Sequence, residues 1–154
     1  MIQSPLNYTG GKYKLLPQML PFFPKNINCF VDLFCGGCNV GINVHAQKYV
    51  YNDSCEPLIN LYSVMQTLES ACFLEKIETV IRRYGLSDVK SHGYDFYNCN
   101  SSDGLGAYNR DKYMRLRADF NALKEKDVDN YVMLYVLIVY AFNNQIRFNR
   151  NGEF

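Results

Sequence analysis

The sequence predicts an α/β protein: one strand–helix–strand unit of an incomplete doubly wound sheet, joined to a mostly helical region. Three observations carry this. Phe30-Val31-Asp32-Leu33-Phe34-Cys35-Gly36-Gly37 reads as a short buried strand running into a glycine turn. A second apolar run, Tyr49-Val50-Tyr51, is followed by an acid, Asp53. Beyond it, helical periodicity dominates as far as Phe142, with no further strand before the tail. Glycines in such a turn let the backbone approach a ligand, and a carboxylate at the tip of the second strand can accept hydrogen bonds from two ribose hydroxyls. The pattern points to a cofactor with an adenosine-like ribose. The turn lacks the G-x-G-x-x-G spacing, so a dinucleotide is not the first choice.

The elements follow in order. Residues 5–11 are loop-like and end in Tyr8-Thr9-Gly10-Gly11-Lys12. A helix is expected over 12–22, with Leu15, Leu16, Met19 and Leu20 on one face; Pro17 must sit early in it or kink it. The first strand covers 29–34, a helix 40–47, and the second strand 48–51. Asn52-Asp53-Ser54 caps a helix starting near Glu56-Pro57. A further helix over 71–84 carries Phe73, Leu74, Ile77, Val80 and Ile81 at helical spacing and ends at Gly85. Residues 86–107 lose periodicity and read as a surface loop. Helices resume over 111–124 and 130–142, the last so apolar that it must be buried on most sides. The tail from Asn143 alternates and contains Asn151-Gly152, which reads as the first arm of a hairpin. The division expected is 1–60 for the cofactor-binding part and 61–154 for the helical part. Two parallel strands do not make a stable sheet alone, so further strands are expected from a partner or from more chain.

Composition narrows the class. At 154 residues and 48% hydrophobic content, the chain is one domain of common size or part of a larger one. A net charge of +1 neither requires nor excludes nucleic acid. Six cysteines show no disulfide framework, and Cys35-x-x-Cys38 has no second ligand pair for zinc. The expectation is reduced thiols, no metal and no disulfide. No signal peptide opens the chain, and the apolar run over 131–142 is too short to span a bilayer, so a soluble cytoplasmic protein is expected.

These motifs, in this order, resemble the DNA adenine methyltransferase (Dam) family, the N6-adenine enzymes of bacteria and their phages. Tyr8-Thr9-Gly10-Gly11-Lys12 with Leu15-Leu16-Pro17 resembles the family's N-terminal motif. Phe30 to Gly37 resembles its cofactor loop, and Asn52-Asp53 with Glu56-Pro57-Leu58-Ile59 and Leu61-Tyr62 its acidic motif. The segment from Phe142 to Phe154 resembles the start of its DNA-reading hairpin. The resemblance implies a Rossmann-like fold with S-adenosyl-L-methionine (AdoMet) in the sheet crevice. It implies that Lys12 holds the methionyl carboxylate, that Tyr8 lies near the cofactor, and that Phe34, Gly36 and Gly37 shape the pocket. It implies that Asp53 takes the ribose hydroxyls, with Asp32 in the same set as a supporting carboxylate.

The resemblance further implies double-stranded DNA as partner, with GATC-type recognition. Arg147 would read a guanine, with Gln145 and Asn149 beside it on the reading face and Phe142 near the opened stack; Asn143 is a further DNA-binding candidate. Lys112, Arg115, Arg117, Lys124 and Lys126 are candidates for phosphate contacts. One departure is large. The family's catalytic Asp-Pro-Pro-Tyr does not occur; the five prolines, at 5, 17, 21, 24 and 57, are isolated and none follows an Asp. No catalytic residue is therefore assigned, and the chain is expected to be inactive alone. The alternatives are a non-catalytic AdoMet- or DNA-binding fragment, or one half of a split methyltransferase completed by a downstream polypeptide. A small-molecule enzyme on the same fold is disfavoured by the N-terminal motif and the Arg147 tail.

Overall fold

The computed structural model describes residues 1–99 and 104–154. Among these residues lie two strands and six α-helices, in a mixed α/β arrangement. The chain divides into two compact units. One comprises Met1–Ser63 with Ala141–Arg147, the other Val64–Tyr140 with Phe148–Phe154.

In the first unit, β1 (Cys29–Asp32) pairs in parallel with β2 (Lys48–Tyr51), Cys29 opposite Lys48 and Asp32 opposite Tyr51. Three bonds carry the pairing past the strand ends. Asn52 N–H donates to the Asp32 carbonyl at 2.9 Å and Cys35 N–H to the Asn52 carbonyl at 2.9 Å. The Asn52 side-chain amide reaches the Leu33 carbonyl at 2.9 Å. The glycine turn and Asp53 are thereby brought together beyond the carboxyl ends of the strands, where open parallel sheets place their ligands.

The first strand is not buried as expected: Val31 is 54% exposed and Leu33 56%. One face is partly covered, with Phe23 edge-on to Phe30 at 5.7 Å between ring centres and Gly41 bonded to Asp32, whereas the face carrying Val31 stays open, although a parallel sheet normally buries both. Two helix expectations also change. The 12–22 stretch breaks into a 3-10 turn (Tyr13–Leu15), α1 (Leu16–Met19) and a second 3-10 turn (Leu20–Phe22). Pro17 and Pro21 each stand in the first two positions of their segment, where a missing N–H is harmless; neither can continue a helix begun before it. The expected 40–47 helix is only a 3-10 turn, Gly41–Asn43, with Val44 already extended. Its residues are Val40, Gly41, Ile42, Asn43 and Val44, which are poor helix formers. Asn43 also diverts its side chain to the Asn39 carbonyl and to both backbone polar groups of Ile2.

Helix α2 (Glu56–Thr67) starts where expected and buries Leu58 and Leu61. The second unit is helical. Helix α3 (Ser70–Tyr84) ends on Gly85 in the left-handed region (φ 68°), with Leu86 N–H returning to the Ile81 carbonyl at 3.0 Å. The expected 86–107 loop holds a short helix, α4 (Val89–His92), capped by Asp88, and a 3-10 turn, Asp95–Tyr97. Its portion over 100–103 lies outside the described residues. Helix α5 (Gly106–Ala122) starts about a turn earlier than predicted, and α6 is Val128–Tyr140. As its apolar composition requires, α6 buries Val132, Met133, Leu134, Val136, Leu137 and Ile138. Val64, Phe73 and Val132 form a cluster joined by Ile77, Val80 and Tyr135.

The hairpin arm expected after Asn143 is not a strand. Among the described residues, its one ladder contact is an isolated parallel bridge between Asn7 and Gln145. Asn143 and Asn144 both take left-handed φ angles, 55° and 53°, which break the extended run. The Asn-Gly turn itself is present: Gly152 has φ 77°, and its N–H donates to the Asn149 carbonyl at 3.0 Å. Among the described residues, no helix is long and apolar enough to cross a membrane.

Candidate functional site

A cleft of about 190 Å³ opens beyond the ends of β1 and β2. Tyr8, Lys12, Asp32, Phe34, Gly36 and Gly37 all line it, with Thr9, Gly10 and Asn39. Six of the seven expected cofactor residues therefore meet in one place. Asp53, the seventh, does not line the cleft. It lies directly behind the turn.

The cleft is built around Gly36. Its φ of 46° suits glycine, and a Cβ there would lie 2.9 Å from the Tyr8 ring. Its N–H donates to Asp53 Oδ2 at 2.9 Å, and its carbonyl accepts from the Tyr62 hydroxyl at 2.7 Å. Asp53 Oδ1 accepts from Cys55 N–H at 3.0 Å, so one carboxylate joins the glycine turn to the chain entering α2. Each oxygen of Asp53 keeps a further acceptor site. Burial pushes the Tyr62 hydroxyl well above its ordinary pKa, with the neighbouring Cys38 adding to the effect, so it stays a donor.

The other walls follow the same logic. Tyr8-Thr9-Gly10-Gly11 is a tight turn, closed by Gly11 N–H on the Tyr8 carbonyl at 2.9 Å with Gly10 at φ 81°. Lys12 emerges from it exposed, spending one ammonium donor on the Gly10 carbonyl at 2.7 Å. The Phe34 ring is 81% exposed at the rim. Asp32 Oδ2 accepts from Gly41 N–H at 3.2 Å; partial burial raises its pKa, that hydrogen bond opposes the rise, and Asp53 adds to it. Burial, then Asp53, Cys55 and Cys35, raises the Tyr8 pKa. Asn39 is 8% exposed and accepts from Ser4 N–H at 3.0 Å, holding the N-terminal segment to the turn.

Chemically, this is a binding surface. It offers an ammonium, an exposed aromatic face, close-approach backbone and the Asp32 carboxylate, with Asp53 behind the turn. Cys35 and Cys38 are buried, which pushes both thiols above their usual range and away from the nucleophilic thiolate. Among the described residues, no three His, Cys, Asp or Glu side chains gather in a way that could hold a metal. The donor set fits AdoMet in kind: a cation for a carboxylate, a ring for an adenine or a sulfonium, an acid near a ribose. The volume is below the roughly 300–1,000 Å³ of typical ligand pockets, so the walls present make part of such a site.

The DNA-side candidates fall in both units. In the first, Phe142 is 87% exposed and the Asn143 carbonyl accepts from Asn7 Nδ2 at 2.8 Å. Gln145 bridges Asn7, and Arg147 is exposed with no hydrogen-bond or ion-pair partner among the described residues. In the second unit the Asn149 side chain is taken up by its own turn, accepting from Asn151 and Glu153 N–H and donating to Glu153 Oε2. Of the phosphate candidates, Lys112 sits over the Tyr108 ring, and Arg115 and Lys126 donate to the Tyr84 and Leu123 carbonyls. Arg117 donates to the Phe154 carbonyl. Lys124 alone of the five is exposed without such a partner among the described residues.

Two contributors to the cleft, Tyr62 and Asn39, were not singled out from the sequence. Tyr62 stood as the end of the Leu61-Tyr62 pair in the acidic motif, with no role of its own. Asn39 carried no motif signal, because its role is a hydrogen bond across 35 residues of sequence.

A family model described as D12 class N6 adenine-specific DNA methyltransferase matches residues 8–154. The modification methylase StsI of Streptococcus sanguinis is 41% identical over 153 residues, covering 99% of this chain and 20% of its own length. The type II methyltransferase M.FokI of Planomicrobium okeanokoites is 39% identical over 153 residues, with the same coverages. A DNA adenine methylase of Haemophilus influenzae is 25% identical over 149 residues, 97% of this chain and 44% of that one. The chain thus spans about a fifth of the length of the first two relatives.

Proposed function

Because the chain belongs to the D12 class of N6 adenine-specific DNA methyltransferases, we propose that it carries the AdoMet-binding half and part of the DNA-reading surface of such an enzyme. The observation that supports this most is Gly36. Its N–H is held by Asp53 and its carbonyl by Tyr62, so the turn is set before any ligand arrives. In this reading the strands belong to a Rossmann-like sheet whose other strands lie outside these residues. AdoMet supplies an electrophilic methyl group. Lys12 pairs with its carboxylate as a point charge, Phe34 and Tyr8 flank it, Asp53 offers its ribose a spare acceptor site from behind the turn, and Asp32, on the cleft wall, is a supporting carboxylate.

Double-stranded DNA is the proposed substrate, with Arg147 reading a base edge and Phe142, Asn143 and Gln145 beside it. Asn149 keeps a smaller role, since its side chain is engaged in its own turn. A GATC-type site is the reading the Dam-like motifs favour. Methyl transfer needs a group to accept the adenine amino protons and hold the extruded base in line. No Asp-Pro-Pro-Tyr occurs in these residues, so the transfer is assigned to a polypeptide that carries it.

Calorimetric titration with AdoMet tests the cleft. Lys12→Ala and Asp53→Ala should each weaken binding by about 1–3 kcal/mol, the loss expected for a charged hydrogen bond. Unchanged affinity in both variants would remove the pocket assignment.

A further inference from the structure

The contact between Asn7 and the segment around Gln145 has no role in the reading above, and it joins two surfaces that reading keeps separate. Asn7 stands between Leu6, 2% exposed, and Tyr8, whose ring lies against Gly36 in the cleft. Leu6 itself passes over the glycine turn, its carbonyl 3.2 Å from where a Cβ on Gly37 would lie. Anything that fixes Tyr8 against Gly36 therefore also fixes the residue before it.

On its other side Asn7 holds the tail. It pairs with Gln145 in an isolated parallel bridge, and its Nδ2 donates to the Asn143 carbonyl at 2.8 Å. That tail is otherwise lightly held. Phe142 is 87% exposed, and Asn143 and Asn144 both occupy the left-handed region. The turn there is closed by Asn144 N–H on the Ala141 carbonyl at 2.9 Å and by a long 3.4 Å bond from Gln145 N–H to the Phe142 carbonyl. Ile146, 9% exposed, is the buried anchor. Asn takes the left-handed region more readily than most residues, but two in succession are uncommon, and Asn7 braces this turn from outside it.

We propose that Asn7 is a positioning residue that couples the two sites: filling the cleft orders residues 142–147, and DNA on that segment steadies the cleft. The inference rests on the AdoMet and DNA assignments made above. A ligand that orders shared structure lowers the ordering cost for a second ligand, and the coupling is reciprocal.

The test uses the whole chain with AdoMet and an unmethylated GATC duplex. Asn7→Ala removes the side chain, and Asn7→Asp keeps its size without the donors. In the parent chain AdoMet without DNA should slow amide hydrogen exchange at 8–12 and 34–37, and also at 142–147. It should tighten duplex binding about fivefold or more. In both variants the first two segments should still respond and AdoMet affinity without DNA should be unchanged. The response at 142–147 should vanish, and the effect on duplex binding should fall below about twofold. A parent chain whose cleft responds while 142–147 does not would overturn the coupling and leave the cleft intact. Variants that keep the full coupling would overturn the role of Asn7. A parent chain with no response in the cleft would remove the AdoMet assignment, and the coupling with it.

Discussion

Gly36 shows how one residue can be fixed by its neighbours. Its backbone polar groups are taken by two side chains from later in the chain, and its missing Cβ is the space in which the Tyr8 ring lies. Gly36→Ala would meet two penalties: a positive φ for an alanine and a methyl group against that ring. The expected loss is roughly 1–3 kcal/mol of stability, with AdoMet affinity falling in parallel as the turn moves. Thermal unfolding and calorimetry of the same variant check both, and an alanine variant matching the parent in each would mean that the turn is not held as described. The pairing of Asp53 with this turn was legible only as a motif. The sequence marked an acid after the second strand; it did not show that the acid's first partner is the glycine N–H and not a ligand.

At the scale of elements, the helical unit followed its periodicity closely. Apolar spacing placed α3 and α6 within about two residues of their observed limits, because long amphipathic or apolar stretches leave one good packing solution. The failures lie where local chemistry overrides periodicity. Prolines divide the 12–22 stretch, and Asn43 with its β-branched neighbours reduces the 40–47 helix to one turn. Helix α6 also carries a titratable lock: the Tyr140 hydroxyl donates to the Ser87 carbonyl, in a knot where Ser87 also pairs twice with Asn109. Burial, with Asp88 and Tyr97 nearby, raises the Tyr140 pKa from 10.0 to about 12. A pKa raised on folding means the folded state holds the proton more tightly. That stabilisation is complete below pH 10 and is lost as pH rises through 12. At about 1.36 kcal/mol per pKa unit, that rise sets an upper bound of about 2.7 kcal/mol, lowered by solvent screening because the residue is only half-buried. Tyr140→Phe should be less stable at pH 8 and lose less stability between pH 10 and 12 than the parent. Equal alkaline slopes would show that this hydroxyl does not contribute. Tyr84, Tyr113 and Tyr135 are raised too, mainly by burial, so part of the slope should remain.

At the scale of the molecule, the two units differ in how complete they are. The helical unit buries its own apolar surface around Val64, Phe73 and Val132. The first unit leaves Val31, Leu33, Phe34 and Val50 exposed on and beside a two-stranded parallel sheet. Each strand also keeps one edge without a neighbour, and the exposed apolar side chains lie on a face of the kind that helices cover in parallel sheets; both accord with a cleft smaller than an ordinary cofactor site and with a match to about a fifth of StsI and M.FokI. The sequence made the same point through its missing Asp-Pro-Pro-Tyr. The direct measurement is methyl transfer from tritiated AdoMet to unmethylated GATC-rich DNA, with the product identified as N6-methyladenine. It is run on this chain alone and with a polypeptide supplying the remaining strands and Asp-Pro-Pro-Tyr. The chain alone should put no label in DNA, and the pair should label adenine N6. Turnover by the 154 residues alone, or none from a pair that binds both AdoMet and DNA, would contradict this reading.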